Sequence, residues 1–177
     1  MLTSQDDNRD VVVRTERLAL TSWLPADVPL LHRLHSDPDT MRFIRFGRPE
    51  TRAETAQLVE QYISQHHTRG WTKWRLATHD GELVGRAGFG GDDARRGLSF
   101  AVDRRLWGQG LATEIASALV HWHWQHAAEA HLRALVEVGN DASVAVLRKV
   151  GFEQTGTETF GGSLCLAFLH RGSGVNK

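Results

Sequence analysis

Residues 98–115 read LSFAVDRRLWGQGLATEI. The first five, Leu98 to Val102, are β-prone and predict a short strand. From Leu111 onward, Ile115, Leu119 and Trp122 recur on one helical face, which predicts a long helix reaching about Ala127. Between them lies a loop, Asp103 to Gly110, with glycines at 108 and 110. Glycine lets a backbone adopt turns that a side chain forbids and lets it come close to a ligand. The loop runs straight into a helix N-terminus, where unpaired N–H groups and the positive end of the dipole face outward. Such a concave set of donors suits a pyrophosphate. It is not a nucleoside-triphosphatase loop, because Leu111 and Ala112 follow Gly110 where Lys and Ser/Thr are needed. Nor is it a dinucleotide fingerprint, because the third glycine position holds Thr113.

The flanking sequence fills in a domain around this unit. A β-prone stretch at 17–23 leads to Pro25, after which Val28, Leu31 and Leu34 form one face of a short helix. Asp37-Pro38-Asp39 stops it. Thr51 and Glu54 have capping-box spacing at the head of a helix over 52–67, ended by Gly70. Strands at 71–78 and 82–89 flank the hairpin signal His79-Asp80-Gly81, and a polar bend over 90–97 follows. A strand at 132–138 precedes Asn140, which caps a helix over 141–150 with Val144, Leu147 and Val150 inward and Gly151 closing it. Strands at 152–160 and 164–170 complete the chain. The order β-α-α-β-β-β-α-β-α-β-β predicts an α/β fold with one mixed sheet of roughly six to seven strands and about four flanking helices. We expect one domain over 11–171, with flexible ends at 1–10 and 172–177.

Composition narrows the function. The 177 residues carry 21 basic and 21 acidic side chains, and this balance argues against a nucleic-acid partner. Met1 to Asp10 has neither part of a secretory signal, and no stretch has the roughly 20 apolar residues of a membrane span. A cytoplasmic protein is expected. Cys165 is the lone cysteine, so an internal disulfide is impossible, and its apolar setting reads as a small buried hydrophobe. Ten histidines include His121-Trp122-His123, but neighbours at i and i+2 point to different sides of a helix, so no metal site is expected. Trp124 falls off the core stripe and reads as exposed, a candidate oligomer contact.

Arg105-x-x-Gly108-x-Gly110 resembles the cofactor motif of the GNAT acyltransferases. The likeness extends over Asp103 to Glu114 and to a second motif, Asn140 and Ser143 followed by Lys149-Val150-Gly151-Phe152. Val13-Arg14-Thr15-Glu16-Arg17-Leu18 is similar to the opening of the subgroup that includes ribosomal-protein N-terminal acetyltransferases. The resemblance implies an N-acetyltransferase that moves an acetyl group from acetyl-CoA to a primary amine by direct attack, with a homodimer as a further implication. The acceptor would be a peptide or protein N-terminus or a small molecule.

By the same resemblance, Phe100, Ala101 and Val102 would pair with the pantetheine arm like an added strand. The N–H groups of Leu106, Trp107, Gly108, Gln109, Gly110 and Leu111 would hold the pyrophosphate. Arg105 would add charge or be a solvated loop arginine; Trp107 would cover the loop or simply pack. Asn140 would orient a water, the amine or the cofactor, besides capping its helix. Ser143 would protonate the leaving thiolate, or bond back to Asn140. Two departures stand out. Relatives often carry a glutamate near the position of Gly97 or Leu98, and a tyrosine where this chain has Leu147. Glu137 is the substitute candidate for base or water anchor, although strand alternation would equally turn it away; Asp103 and Glu114 are poorer ones. No base is needed for an α-amino group of pKa ~8. Arg42, Arg45, Arg48 and Arg52 suggest an acidic acceptor or a solvated loop. The missing carboxylate keeps a second reading open, an acyl-CoA-binding sensor without turnover.

Overall fold

The computed structural model describes residues 9–45, 47–92, 95–127 and 131–172. Its strands are β1 (Val11–Arg14), β2 (Leu18–Thr21), β3 (Lys73–Thr78), β4 (Leu83–Gly90), β5 (Gly97–Val102), β6 (Leu132–Glu137), β7 (Glu153–Phe160) and β8 (Ser163–His170). They form one sheet in the order β1-β2-β3-β4-β5-β6-β8-β7. Neighbours are antiparallel except β5 and β6, which are parallel. The helices are α1 (Val28–His35), α2 (Pro38–Met41), α3 (Arg52–Arg69), α4 (Leu111–His126) and α5 (Asp141–Lys149).

The sheet therefore has eight strands where six to seven were expected. The addition is β1, whose valines do not alternate with polar residues and so carry no period-two signal; a bulge between Val11 and Val13 interrupts its pairing with β2. Asp37 does more than stop α1. Its carboxylate accepts from the Thr40 N–H at 2.9 Å and caps α2. At the start of the described residues, the Arg9 guanidinium grips the buried Asp27 carboxylate at 2.6 and 2.7 Å, and the Asp10 N–H donates to Ser22 Oγ. Residues 1–8 and 173–177 lie outside the described residues, as do 93 and 94 of the polar bend.

Local chemistry accounts for the longer helices. Thr51 and Glu54 form the reciprocal capping box of α3, and Gly70 ends it at φ 72°. One face of the sheet packs Trp74, Leu76, Phe89, Leu132 and Val136 against Ile115 and Leu119 of α4 and Val144 and Leu147 of α5. The other face buries Leu83 with Leu31 and Leu34 of α1 and Leu58, Val59 and Tyr62 of α3. Trp122 meets Trp74 edge-on at 5.3 Å. Trp124 is not an exposed surface residue: it is half-buried against the core, and its indole N–H donates to His170 at 3.1 Å.

Strand β4 carries a glycine where no other residue fits. Gly88 has φ 150°, and a Cβ there would lie 2.1 Å from the Thr72 carbonyl oxygen. Gly88→Ala is expected to destabilise the protein by about 3 kcal/mol through clash and strain. Urea unfolding measures this, and a loss below about 1 kcal/mol would mean that the strand relaxes freely.

Candidate active site

Strands β5 and β6 part almost where they meet. Their ladder has one pair, Gly97 with Arg133, supported by the Arg133 N–H donating to the Arg96 carbonyl at 3.1 Å. Beyond it, β5 stays paired to β4 as far as Val102, while β6 stays paired to β8. The edge from Ser99 to Val102 that faces β6 thus has no partner strand inside the sheet, with only the Val102 carbonyl taken, by the Trp107 indole. A cleft of about 480 Å³ opens there, lined by Phe100 on β5, Glu137 on β6 and Asn140, Ser143 and Leu147 on α5. Phe43 and Arg45 close its other side with Lys73 of β3 and Arg86 of β4.

The glycine loop begins where β5 ends. Asp103 receives the Arg105 N–H at 3.0 Å and its guanidinium at 2.6 Å, which shapes a single tight turn over Arg104–Leu106. The Arg105 guanidinium, ahead of all other causes, holds the Asp103 carboxyl below its ordinary pKa. Both groups are therefore engaged with each other, and Asp103 is no base. Trp107 is 53% exposed, and its indole donates to the Val102 carbonyl at 2.8 Å. The Leu106 and Trp107 N–H groups bond back to Asp103 and Arg104 within the turn. Gly108 and Gly110 follow at φ 75° and 78°, and Gly110 occupies the cap position of α4. The Glu114 N–H makes the first ladder bond of α4, to Gly110, so those of Leu111, Ala112 and Thr113 have no acceptor inside the helix. Among the described residues, the Gly108, Gln109 and Gly110 N–H groups also lack a backbone partner. The open donors thus start at Gly108, two residues later than the sequence suggested.

The sequence did not reveal what braces this loop. Glu114 accepts from Thr15 Oγ1 at 2.6 Å, from the Arg17 N–H at 2.9 Å and from Arg17 Nε at 2.6 Å. Arg17 also donates to the Gln109 carbonyl at 2.9 Å. Burial would raise the Glu114 pKa, but these hydrogen bonds and the Arg17 charge bring it below the ordinary value. The Thr15-Glu16-Arg17 stretch is thereby tied mechanically to the loop, and Glu114 is unavailable as a base.

On α5, the Asn140 side chain accepts the Ser143 N–H at 3.2 Å. That is an N-cap, and it leaves the Ser143 hydroxyl without a hydrogen-bond partner among the described residues. Glu137 faces the cleft from the mouth of β6, in register with Cys165. Cys165 is 5% exposed, and burial, then Glu137 and Glu158, push its thiol pKa up. A thiolate is disfavoured there. Among the described residues, no cluster of three or more His, Cys, Asp or Glu side chains is arranged for a metal, and no helix is long and apolar enough to cross a membrane.

Residues 17–153 match the Acetyltransferase (GNAT) domain family. The chain belongs to the GNAT acetyltransferases. Family membership makes it an acyl-CoA-dependent N-acetyltransferase. It is 22% identical over 149 residues to the uncharacterized N-acetyltransferase YoaA of Bacillus subtilis, spanning 82% of this chain and 84% of the relative. A ribosomal-protein N-acetyltransferase, RimL, solved with coenzyme A, superposes with a TM-score of 0.79 at 19% identity, over 92% of this chain and 98% of that one. A Salmonella typhimurium acetyl transferase that modifies the N-terminal serine of a 50S ribosomal protein gives 0.77 at 20% identity, over 92% and 99%.

Behind the cleft of this acetyltransferase lies a buried polar relay. The Glu50 carboxylate, fully buried, takes His35 Nδ1 at 2.9 Å and Arg45 Nε at 2.7 Å. On the other side of the ring, His35 Nε2 accepts from Arg86 Nε at 3.1 Å. A ring that accepts at Nε2 is neutral and donates from Nδ1. Burial, the largest cause, lowers the His35 pKa to about 4, and Arg86 adds to the effect. Burial would raise the Glu50 pKa, but the His35 hydrogen bond and the surrounding cations hold it below its ordinary value. The arginine run read from the sequence is mostly engaged: Arg45 pairs with Glu50, Arg48 with Glu54 at 2.7 Å, and Arg42 stacks over Phe43 at 5.1 Å.

Because the folded-state pKa of His35 lies below the unfolded one, the unfolded chain takes up the proton first as pH falls. Stability is therefore fully present above about 6.5 and is lost between 6.5 and 4. The expected loss is on the order of 3 kcal/mol, with His170 and Glu50, also lowered, adding in the same sense. Urea midpoints across that range measure it; a flat profile would rule out a neutral buried His35.

Proposed function

We propose that this acetyltransferase moves an acetyl group from acetyl-CoA to a primary amine by direct attack in the β5–β6 cleft, and that it is akin to the ribosomal-protein N-acetyltransferases. The observation that carries the reading is the pairing of an open β5 edge with unsatisfied N–H groups at Gly108 to Thr113. The edge at Phe100, Ala101 and Val102 suits an extended pantetheine amide chain, and the loop donors suit its pyrophosphate. The structural likeness to RimL in its coenzyme A complex supports the same placement. Leu106, Trp107 and Arg105 shape and flank the loop, Arg105 through its ion pair with Asp103.

In the reaction the amine nitrogen bonds to the thioester carbonyl carbon and the C–S bond breaks. Ser143 donates its proton to the departing sulfur, a role its free hydroxyl in the cleft supports. Glu137 accepts the amine proton, directly or through a water, and sheds it to solvent while Ser143 regains a proton from water; Asn140 keeps α5 and its serine in place. A carboxylate at the mouth of β6 thus takes the part that β5 leaves vacant at Gly97 and Leu98.

Coenzyme A at about 100 times its Kd is expected to stabilise the fold by ~2.7 kcal/mol, read as a rise in Tm. Ser143→Ala is expected to lower kcat at least about tenfold in thiol-release assays with a panel of amines. An unchanged kcat removes the serine from the mechanism, and the absence of any thermal shift with coenzyme A removes the binding reading altogether.

A further inference from the structure

Two cations, Lys73 and Arg86, line the cleft with no direct ion pair among the described residues. Arg86 is 2% exposed, yet its terminal NH1 has no hydrogen-bond partner, because His35 holds the group only through Nε. Lys73, half-buried, lies opposite Gly88 in the β3–β4 ladder, and Gly88 lies opposite Ser99 of β5. With no side chain at Gly88 or Gly90, the lysine lies across β4; a Cβ on Gly90 would be 3.5 Å from Lys73 Nζ. Neither cation has an ion pair among the described residues, although both line the cleft beside Ser99 and Phe100. The opposite wall carries carboxylates. Glu158 is neutralised by Arg133 at 2.7 Å, and Glu137 has no side-chain partner among the described residues.

Buried cations without partners are costly, so a fold that needed only stability would replace them with apolar groups. The cost here is visible in Lys73, whose pKa burial, with Arg86 and Arg45, lowers to about 7. Arg86 is also held in place, since the Glu50–His35 relay fixes its Nε and leaves NH1 without a partner on a side chain that lines the cleft. A guanidinium and an ammonium with free donors match one ligand chemistry, an oxyanion.

We propose that Lys73 and Arg86 bind the acid group of the acceptor, and that the acceptor is a small amine carrying a carboxylate. The claim rests on the transferase reading above. The acid would sit on the β3–β4 wall while its amine faces Glu137 across the gap, so the cleft is charged to match a zwitterion. A small acceptor suffices, because the carboxylate subsite and Glu137 line one cleft of about 480 Å³.

The test compares matched amines in the thiol-release assay: 4-aminobutanoate with 4-aminobutanamide, and a tripeptide with an acidic second residue with its amide counterpart. The acid of the small pair is expected to exceed its amide at least about tenfold in kcat/KM, mainly through KM. Lys73→Met should bring that ratio near one while Tm and the thermal shift with coenzyme A are retained. Arg86→Lys is the second variant, with a weaker drop in the ratio and the same controls. Equal rates for the small acid and amide in the native protein overturn the proposal, as does an unchanged ratio in Lys73→Met. A charge preference confined to the tripeptide overturns it in favour of a peptide acceptor. Failure of all thiol release, with no thermal shift, strikes instead at the transferase reading beneath it.

Discussion

The separation of β5 from β6 after the Gly97–Arg133 pair is the constraint that organises the molecule. A sheet normally satisfies its interior backbone by pairing, and leaving strands apart inside one exposes N–H and C=O groups at a cost. The fold tolerates the gap because each half is independently secured. β5 is fixed along its whole length to β4, and β6 to β8. Behind the gap, α4 and α5 close one continuous apolar core under both halves. The open edge is therefore held rigid and cannot collapse shut, and a ligand with its own amide groups can complete the ladder that the protein leaves unfinished.

Two polar assemblies, one at the surface and one buried, keep the walls of this gap in place, and both do so through chain segments remote in sequence. Glu114 and Arg17 tie the turn between β1 and β2 to the loop that follows β5. Glu50 and His35 tie the segment before α3 and the end of α1 to Arg86 on β4. Each uses a carboxylate with several donors, and for the buried Glu50 that is the arrangement in which a charge away from water is tolerable. The first shapes the cofactor end of the cleft, and the second holds a cation at the acceptor end.

Much of the fold was legible because its signals are local. The capping box at Thr51, the Asp80-Gly81 turn, the Asn140 cap and the helical stripe through Ile115 and Leu119 each depend on residues within a few positions of one another. β1 escaped because three consecutive valines carry no alternation. Trp124 was misread because its partner, His170, is 46 positions away. The site divides in the same way. Asn140, Ser143 and the loop glycines announce themselves by spacing. Thr15 and Arg17 stood in a recognised stretch, but their purpose depends on Glu114, nearly a hundred residues on.

Lys73 and Arg86 were invisible for a sharper reason. Nothing in the sequence near Lys73 distinguishes it from a strand lysine in solvent. Its setting arises from register: β3 meets β4 so that Lys73 faces Gly88, and β4 meets β5 so that Gly88 faces Ser99. Gly90, two residues on, leaves room for the end of the lysine, since a Cβ there would be 3.3 Å from Lys73 Cε and 3.5 Å from Nζ. The arginines at 42, 45 and 48 look more suggestive on paper, yet the fold engages them with Glu50, Glu54 and Phe43. Charge in the sequence thus says little about charge available to a ligand. What remains available is decided by which cations the fold leaves without a direct ion pair, and among the described residues Lys73 and Arg86 are two such cations lining the cleft.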